Sequence, residues 1–485
     1  MVFRSTLWFV PFVLFIFVAS PVVAQEAEES PEPDEEEVVE PDEDVLDEPV
    51  EGDEDEAPEE EPAEIDEPAE VDPPDEIDEI DEPAEVDEVD EVDEVDEEQE
   101  VDELEDPAEG AAIAPARGAP DPTFRVRGNV DDDEDRWFLD IGGYIRAGYT
   151  HIEDDPNFDV FGRNDGFRLH DARLITRAEM DNGLGAIVSL DAGSRLIRTS
   201  PDSPVEELSV RMTDAYVYYS PLDYLELNLG QFKAPFDVED LISTADLLFI
   251  NRAVGNRGVQ DVEGFNVAGM SQDRQVGMRV HGTYDILDDE DGPGVGYAIA
   301  VANGNGPNVS MNENDRLAYY GRLDLYWGDL ISVGSAAFHN DRTFGDQPDR
   351  VDRQTWGWTA DVRAHFEGVS LLANVVSETR EVPDIEQDPE TTGLSYQAQI
   401  AYEEPFFGFQ PAYRFAYYDP TFRHGGEGED EIFEHDALTY HTIGLNYNAP
   451  DYPVRLMANY TLALEEEGAP QLDNNRADIL LQLQW

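Results

Sequence analysis

Residues 354–366 read QTWGWTADVRAHF, and two kinds of side chain alternate along them. Trp356, Trp358, Ala360, Val362, Ala364 and Phe366 face one way, while Thr355, Gly357, Thr359, Asp361, Arg363 and His365 face the other. A period of two belongs to a strand with one apolar and one polar face. Near the C-terminus, Val454, Leu456, Ala458, Tyr460, Leu462 and Leu464 alternate in the same way with Arg455, Met457, Asn459, Thr461 and Ala463. Similar segments begin near residues 137, 166, 184, 208, 223, 273, 294, 316, 329, 368, 392, 408, 437 and 473. About sixteen strands result, each near the ten or so residues that a tilted membrane-crossing strand needs.

The connections between these strands alternate short and long. The short ones are DNGLG at 181–185, SPLD at 220–223, YWGD at 326–329, FEG at 366–368, EEPFFG at 403–408 and NAPDY at 448–452, with the longer DILDDEDGPG at 285–294 in the same set. Between them lie polar segments at 151–165, 195–207, 234–272, 303–315, 340–353, 379–391, 419–436 and 465–475. Short periplasmic turns opposite longer extracellular loops mark a transmembrane antiparallel β-barrel of the outer membrane. A soluble sandwich or propeller has no reason for that asymmetry. The expected fold class is therefore all-β, a barrel over residues 137–485. An even strand count puts both chain ends in the periplasm.

Composition divides the rest of the chain. Of 114 acidic side chains, 49 fall within residues 25–110, a stretch of Glu, Asp, Pro, Val and Ala with a drifting EVDEVD repeat. Such a segment cannot bury enough apolar surface to offset the entropy of ordering it, so it reads as a disordered acidic arm. The arm is a charged spacer, a binder of divalent cations or a contact for a basic periplasmic partner. Residues 111–136 read as a less acidic linker. Residues 111–485 keep 65 acids against 28 arginines and lysines, a balance of −37. That excess argues against nucleic acid, which binds where basic groups cluster. Zero cysteines exclude disulfide scaffolds, cysteine-ligated zinc and iron–sulfur centres.

Residues 1–24 read as a signal peptide. Arg4 supplies a positive start, Leu7–Val18 is an apolar run interrupted by Pro11, and Val22-Val23-Ala24 offers a cleavage site before Gln25. The location implied is the outer membrane of a Gram-negative-type bacterium, with the arm in the periplasm. At the other end, Ile479, Leu481, Leu483 and Trp485 alternate to a terminal aromatic. They resemble the signal read by the barrel assembly machinery, with Trp where Phe is usual.

Three blocks narrow the type of barrel. GFRLHDARLITRAEMDNGLGAIVSLDA lies at 166–192, DAYVYYSPLDYLELNLGQFKAPFDVEDLISTADLLFINRAV at 214–254 and AIAVANGNGPN at 298–308. In this order they are similar to the phosphate-selective porin O and P family over about residues 137–485. The resemblance implies a passive diffusion channel for small hydrophilic solutes, with anions such as phosphate among them. It also implies that the longest loop, which follows Gly230-Gln231-Phe232-Lys233, folds inward and narrows the lumen. Lys233, the only lysine in the chain, matches the motif and is the first candidate for an anion contact, with Arg252 and Arg257 on the loop itself. Leu247, Leu248, Phe249 and Ile250 could pin that loop to the inner wall.

Strand parity supplies the other candidates. If apolar residues face lipid, Arg146, Arg173, Arg177, Arg279, Arg322, Arg363, Arg414 and Arg455 point into the lumen, among the inward acids Asp171, Glu179, Asp214, Asp324 and Asp361. They serve transport or pair across strands. No catalytic, cofactor or metal site is expected. The eight histidines show no HExxH spacing, and ANGNGPN lacks the Lys-Ser/Thr of a phosphate-binding loop. The expected partners are outer-membrane lipids, the barrel assembly machinery and small ions or solutes, with a homotrimer as candidate assembly. A non-conducting barrel serving as surface receptor, adhesin or anchor is the competing reading.

Overall fold

The computed structural model describes residues 124–129 and 136–485, apart from 159–160, 163–164, 201–202, 261, 288–291, 345–349, 382–389, 404–406, 425–435 and 451. The signal peptide expected at 1–24 and the arm expected at 25–110 lie outside the described residues. The chain order begins with β1 (Phe124–Asn129), β2 (Arg136–Ile152), β3 (Gly166–Met180), β4 (Leu184–Ser200), β5 (Ser203–Leu222) and β6 (Leu225–Lys233). A long loop carries α1 (Val238–Leu241), α2 (Val254–Arg257) and the two-residue strands β7 (Gly258–Val259) and β8 (Val267–Ala268). Then come β9 (Arg274–Asp285), β10 (Pro293–Ala302), β11 (Ala318–Trp327), β12 (Ile331–Phe344), β13 (Val351–Phe366) and β14 (Val369–Glu381). The chain closes with β15 (Thr391–Tyr402), β16 (Phe409–His424), β17 (Leu438–Asn448), β18 (Val454–Glu465) and β19 (Arg476–Gln484).

Each of these strands except β1, β7 and β8 pairs antiparallel with its neighbours, β6 pairs with β9, and β19 returns to β2. The result is a closed barrel of sixteen strands. Closure leaves no sheet edge for lipid to meet, which is what lets strands cross a bilayer at all. Trp356, Trp358 and Val362 of the diagnostic stretch are exposed, whereas Thr359 and Asp361 are buried. The same inversion runs round the wall, from Leu229 and Met278 through Ile299 and Leu323 to Ile443 and Ile479, all more than half exposed. In a water-soluble barrel the two sets would be exchanged. Among the described residues no helix is long and apolar enough to cross a membrane.

Two expectations need correction. The segment 195–207 is not a loop: β4 and β5 pair out to Ser200 and Ser203, so the long connection is a hairpin whose arms satisfy each other's backbone groups. The linker expected at 111–136 contains β1, which pairs with the first residues of β2, from Phe124 opposite Ile141 to Asn129 opposite Arg136.

Candidate functional site

The loop between β6 and β9 lies inside the barrel. Pro235 has no N–H to offer a ladder, so the strand stops there, while Ala234 donates to the Asp273 carbonyl at 2.8 Å and closes the base of the loop. Phe236 enters the lumen edge-on to Phe338, with ring centres 4.7 Å apart. Asp237 then caps α1 by accepting from the Glu239 N–H, and Ser243 caps the following turn through the Ala245 N–H. Gly258 ends α2 at φ 75, a left-handed conformation that suits glycine.

Apolar side chains fix this loop to the inner wall. Phe249 packs on Ala401 and Ala412, Ile250 on Met457 and Leu480, and Phe236, Val254, Val259 and Met270 join one cluster with Ala300, Tyr320, Phe338 and Tyr418. Leu247, Leu248, Phe249 and Ile250, expected to pin the loop, are buried or half-buried against it.

The inward arginines hold the loop from below. Arg146 donates to the Ile250 carbonyl at 2.8 Å, Arg322 to that of Phe236 at 3.0 Å, and Arg455 to that of Ala245 at 3.3 Å. Arg414 donates to Asn251 at 3.0 Å and to Arg252 at 3.4 Å, with its guanidinium 4.6 Å from the Phe249 ring centre. Neutral wall residues add to the seat: Asn446 donates to the Leu248 carbonyl, Gln482 to that of Ala245, and Asn459 accepts from the Ile250 N–H. Parity had placed these four arginines inward, but the sequence carries no signal that their partners are loop carbonyls; Asn446 and Gln482 were not singled out.

Most of the same arginines are matched by acids. Arg146 meets Asp171 at 2.7 Å, Arg173 meets Asp191 at 3.1 Å, and Arg322 bridges Asp324 and Asp361. Arg177 donates to the Tyr218 hydroxyl, Arg279 stacks on Phe232 at 5.0 Å, and Arg363 is half-buried beside Asp361. Arg257 pairs with Glu263 at 2.5 Å, and Glu263 also meets Arg476. Burial alone would raise the Glu263 carboxyl, but these two arginines hold it below the usual carboxylate range. Arg476 and Glu263 were not singled out in the sequence.

Lys233 and Arg252 also reach loop carbonyls. Lys233 donates to the Leu241 carbonyl at 3.2 Å and to Ile242 at 3.4 Å, and Arg252 donates to the same Ile242 carbonyl at 3.0 Å. With Arg455 on Ala245, three cations converge on the carbonyls of one turn, residues 241–245. Beside that turn sits an acidic knot. Asp237 accepts from Asn256 and Asn374, Asp240 from Asn256 and Ser271, and Glu239 from the Ala253 N–H and Arg414. Burial, with Asp240 and Glu239 close by, pushes Asp237 up to about 7. Among the described residues no group of three or more His, Asp and Glu side chains is arranged to hold a metal ion.

Residues 140–321 match the profile of the family described as phosphate-selective porin O and P. Over these residues the chain is similar to the porin O and P family. The match runs from β2 into β11, so the whole inward loop between β6 and β9 and its GQFK block lie inside it. Among solved structures, the anion-selective porin from Comamonas acidovorans aligns at 12% identity, covering 72% of this chain and 100% of that one, with a TM-score of 0.49. OmpT, an outer membrane protein of Vibrio cholerae, aligns at 11% identity over 72% and 98% of the two chains, TM-score 0.47. Salmonella typhi OmpF in complex with daunomycin aligns at 12% identity over 72% and 98%, TM-score 0.45. A comparison with curated proteins finds no match.

Proposed function

We propose that the protein is an outer-membrane porin, a passive channel for small hydrophilic solutes narrowed by the loop at 234–273, with anions such as phosphate favoured. On this reading it conducts solutes and catalyses no reaction, and the segment 25–110 hangs on the periplasmic side with the short turns. The porin O and P match supports the channel. One observation carries the anion preference: Lys233, Arg252 and Arg455 converge on the carbonyls of residues 241–245. Carbonyl oxygens order these cations at the loop, where Asp246 also lies within electrostatic reach of Lys233 and Arg455, so the reading rests on where the three cations are placed along the loop. Inside a protein-walled constriction a fixed charge 4 Å from a solute is worth about 4 kcal/mol, against about 1 in water. Acids on the outer loops act beyond a Debye length of about 8–10 Å and are screened. Three cations gathered at the narrow zone therefore act on a solute more strongly than the screened acids of the outer loops within the barrel balance of −37.

The test is the reversal potential of the refolded channel in a salt gradient, repeated with phosphate added. An anion-directed potential and a phosphate-dependent block of chloride current support the reading; a cation-directed potential overturns the selectivity but not the channel. A barrel acting only as receptor or anchor passes no steady current. Cross-linking of the detergent-extracted protein reads the homotrimer expected from the sequence.

A further inference from the structure

The seam that closes the barrel leaves a register problem. β2 has 17 residues and β19 only 9. β19 covers β2 from Ile152, opposite Arg476, to Tyr144, opposite Gln484. Trp485 then exchanges two backbone hydrogen bonds with Gly143, both at 2.9 Å. The lower part of β2, residues 136–142, continues beyond the positions that β19 and Trp485 pair with.

Side-chain alternation does not choose this register by itself. A slip of one residue would turn every lipid-facing side chain of β19 into the lumen and is forbidden by burial. A slip of two residues keeps every face. Toward the long-loop end, a two-residue slip would run Arg476 and Ala477 past Ile152, where β2 stops, and lose two pairs. Toward the short-turn end it loses none: Trp485 would sit opposite Ile141 and Arg476 opposite Thr150. It would change the shear of a sixteen-strand barrel while leaving strand number and facing intact.

β1 occupies that place. Phe124 pairs with Ile141 and the ladder runs to Asn129 opposite Arg136. β1 and β19 thus lie end to end along one edge of β2, with only Gly142 between their paired positions. We infer that β1 is a register stop: it fills the surplus edge of β2 so that the closing strand can dock in one register only. The order of events favours this. β1 and β2 are neighbours in sequence and pair locally, whereas the seam joins residues as distant as Thr150 and Asp478. Local ladders form before distant ones because less chain entropy is lost in closing them.

The chain has no cysteine, so paired cysteines report register without background. Ile479 lies opposite Tyr149 in the observed register and would lie opposite Ala147 after the slip. Both residues of the observed pair share the parity of the hydrogen-bonded Trp485–Gly143 pair, where Cα atoms stand about 5.5 Å apart, within disulfide range. The full chain carrying Ile479→Cys and Tyr149→Cys should cross-link on oxidation, and Ile479→Cys with Ala147→Cys should not. When residues 124–129 are replaced by six Gly/Ser residues, the second pair should begin to cross-link at the expense of the first. Unchanged cross-linking in the replaced chain would overturn the register stop. Should that chain fail to assemble, the Ile479–Tyr149 disulfide supplies the missing constraint and should restore assembly under oxidising conditions. Absence of rescue would equally overturn it. None of these readouts depends on conductance, so they stand apart from the channel reading.

Discussion

Arg414 on β16 donates to the carbonyl of Asn251 at 3.0 Å while its guanidinium lies over the Phe249 ring. One wall residue thus grips both the backbone and an apolar anchor of the inward loop, and at 3.4 Å it is also the charge partner of the buried Glu239.

Arg414→Met should therefore loosen the loop. Losing a charge-assisted hydrogen bond costs about 1.5–3 kcal/mol, which raises the unseated fraction by about tenfold to a hundredfold. Single-channel recordings should show a larger mean conductance and more open-channel noise. Arg414→Lys keeps the charge but not the planar fork, so its effect should be intermediate. Conductance equal to the parent's in both variants would place the narrow zone elsewhere.

Lys233→Glu should shift the reversal potential toward cations and weaken phosphate block. Because Lys233 also braces the Leu241 and Ile242 carbonyls, the substitution should change conductance as well. Lys233→Gln keeps a donor and removes the charge, so it should alter selectivity with a smaller change in conductance. Identical selectivity in all three proteins would remove Lys233 from the solute path.

Proton binding at Asp237 gives the loop a pH dependence of definite sign. Its carboxyl is raised to about 7 in the seated loop from an ordinary value of 3.8. The seated loop holds a proton that the released loop gives up, so the stability of the seat falls as pH rises through this window. Open-channel noise should accordingly be lower at pH 5 than at pH 8. Asp237→Asn should flatten the profile, and a profile with the opposite slope would refute the assignment.

Gly255 sits on α2 where the loop touches β15, and a Cβ there would collide with the Ser395 hydroxyl. Gly255→Val should push the loop off the wall, raising conductance while leaving the heat-modifiable gel mobility of the barrel unchanged. Loss of that mobility would mean that the loop is needed for barrel assembly itself.

Deleting Trp485 removes two seam hydrogen bonds to Gly143 and an indole that packs against Gly143 from β19. Assembly into the outer membrane should slow, measured as the rate at which the heat-modifiable form appears. Equal rates for deleted and full chains would show that the terminal aromatic is dispensable.

The barrel was legible because alternation is a local property: QTWGWTADVRAHF shows its two faces without reference to any partner. The same parity placed Arg146, Arg322, Arg414 and Arg455 inward, where the structure has them. Their role was not legible, because a backbone carbonyl leaves no mark on a sequence and nothing in the chain says which loop peptide an arginine will meet. The strand at 124–129 was hidden for a related reason. FRVRGN is short, carries two arginines and precedes a charged stretch, so its pairing becomes visible only beside the surplus length of β2. The β4–β5 hairpin was misread as loop because polar composition was taken for absence of pairing, yet a ladder is made by backbone groups whatever the side chains are.

The wall arginines hold peptide oxygens, and every residue has one. An exchange of side chains along residues 241–252 leaves Arg146, Arg414 and Arg455 with the same acceptors, provided the backbone path is kept and the apolar anchors remain. Seat and inner face are therefore separable: the scaffold fixes where the loop lies, and the loop is free to vary what it presents to the lumen. Variants of this barrel can therefore differ along the inner face of the loop without rebuilding the wall.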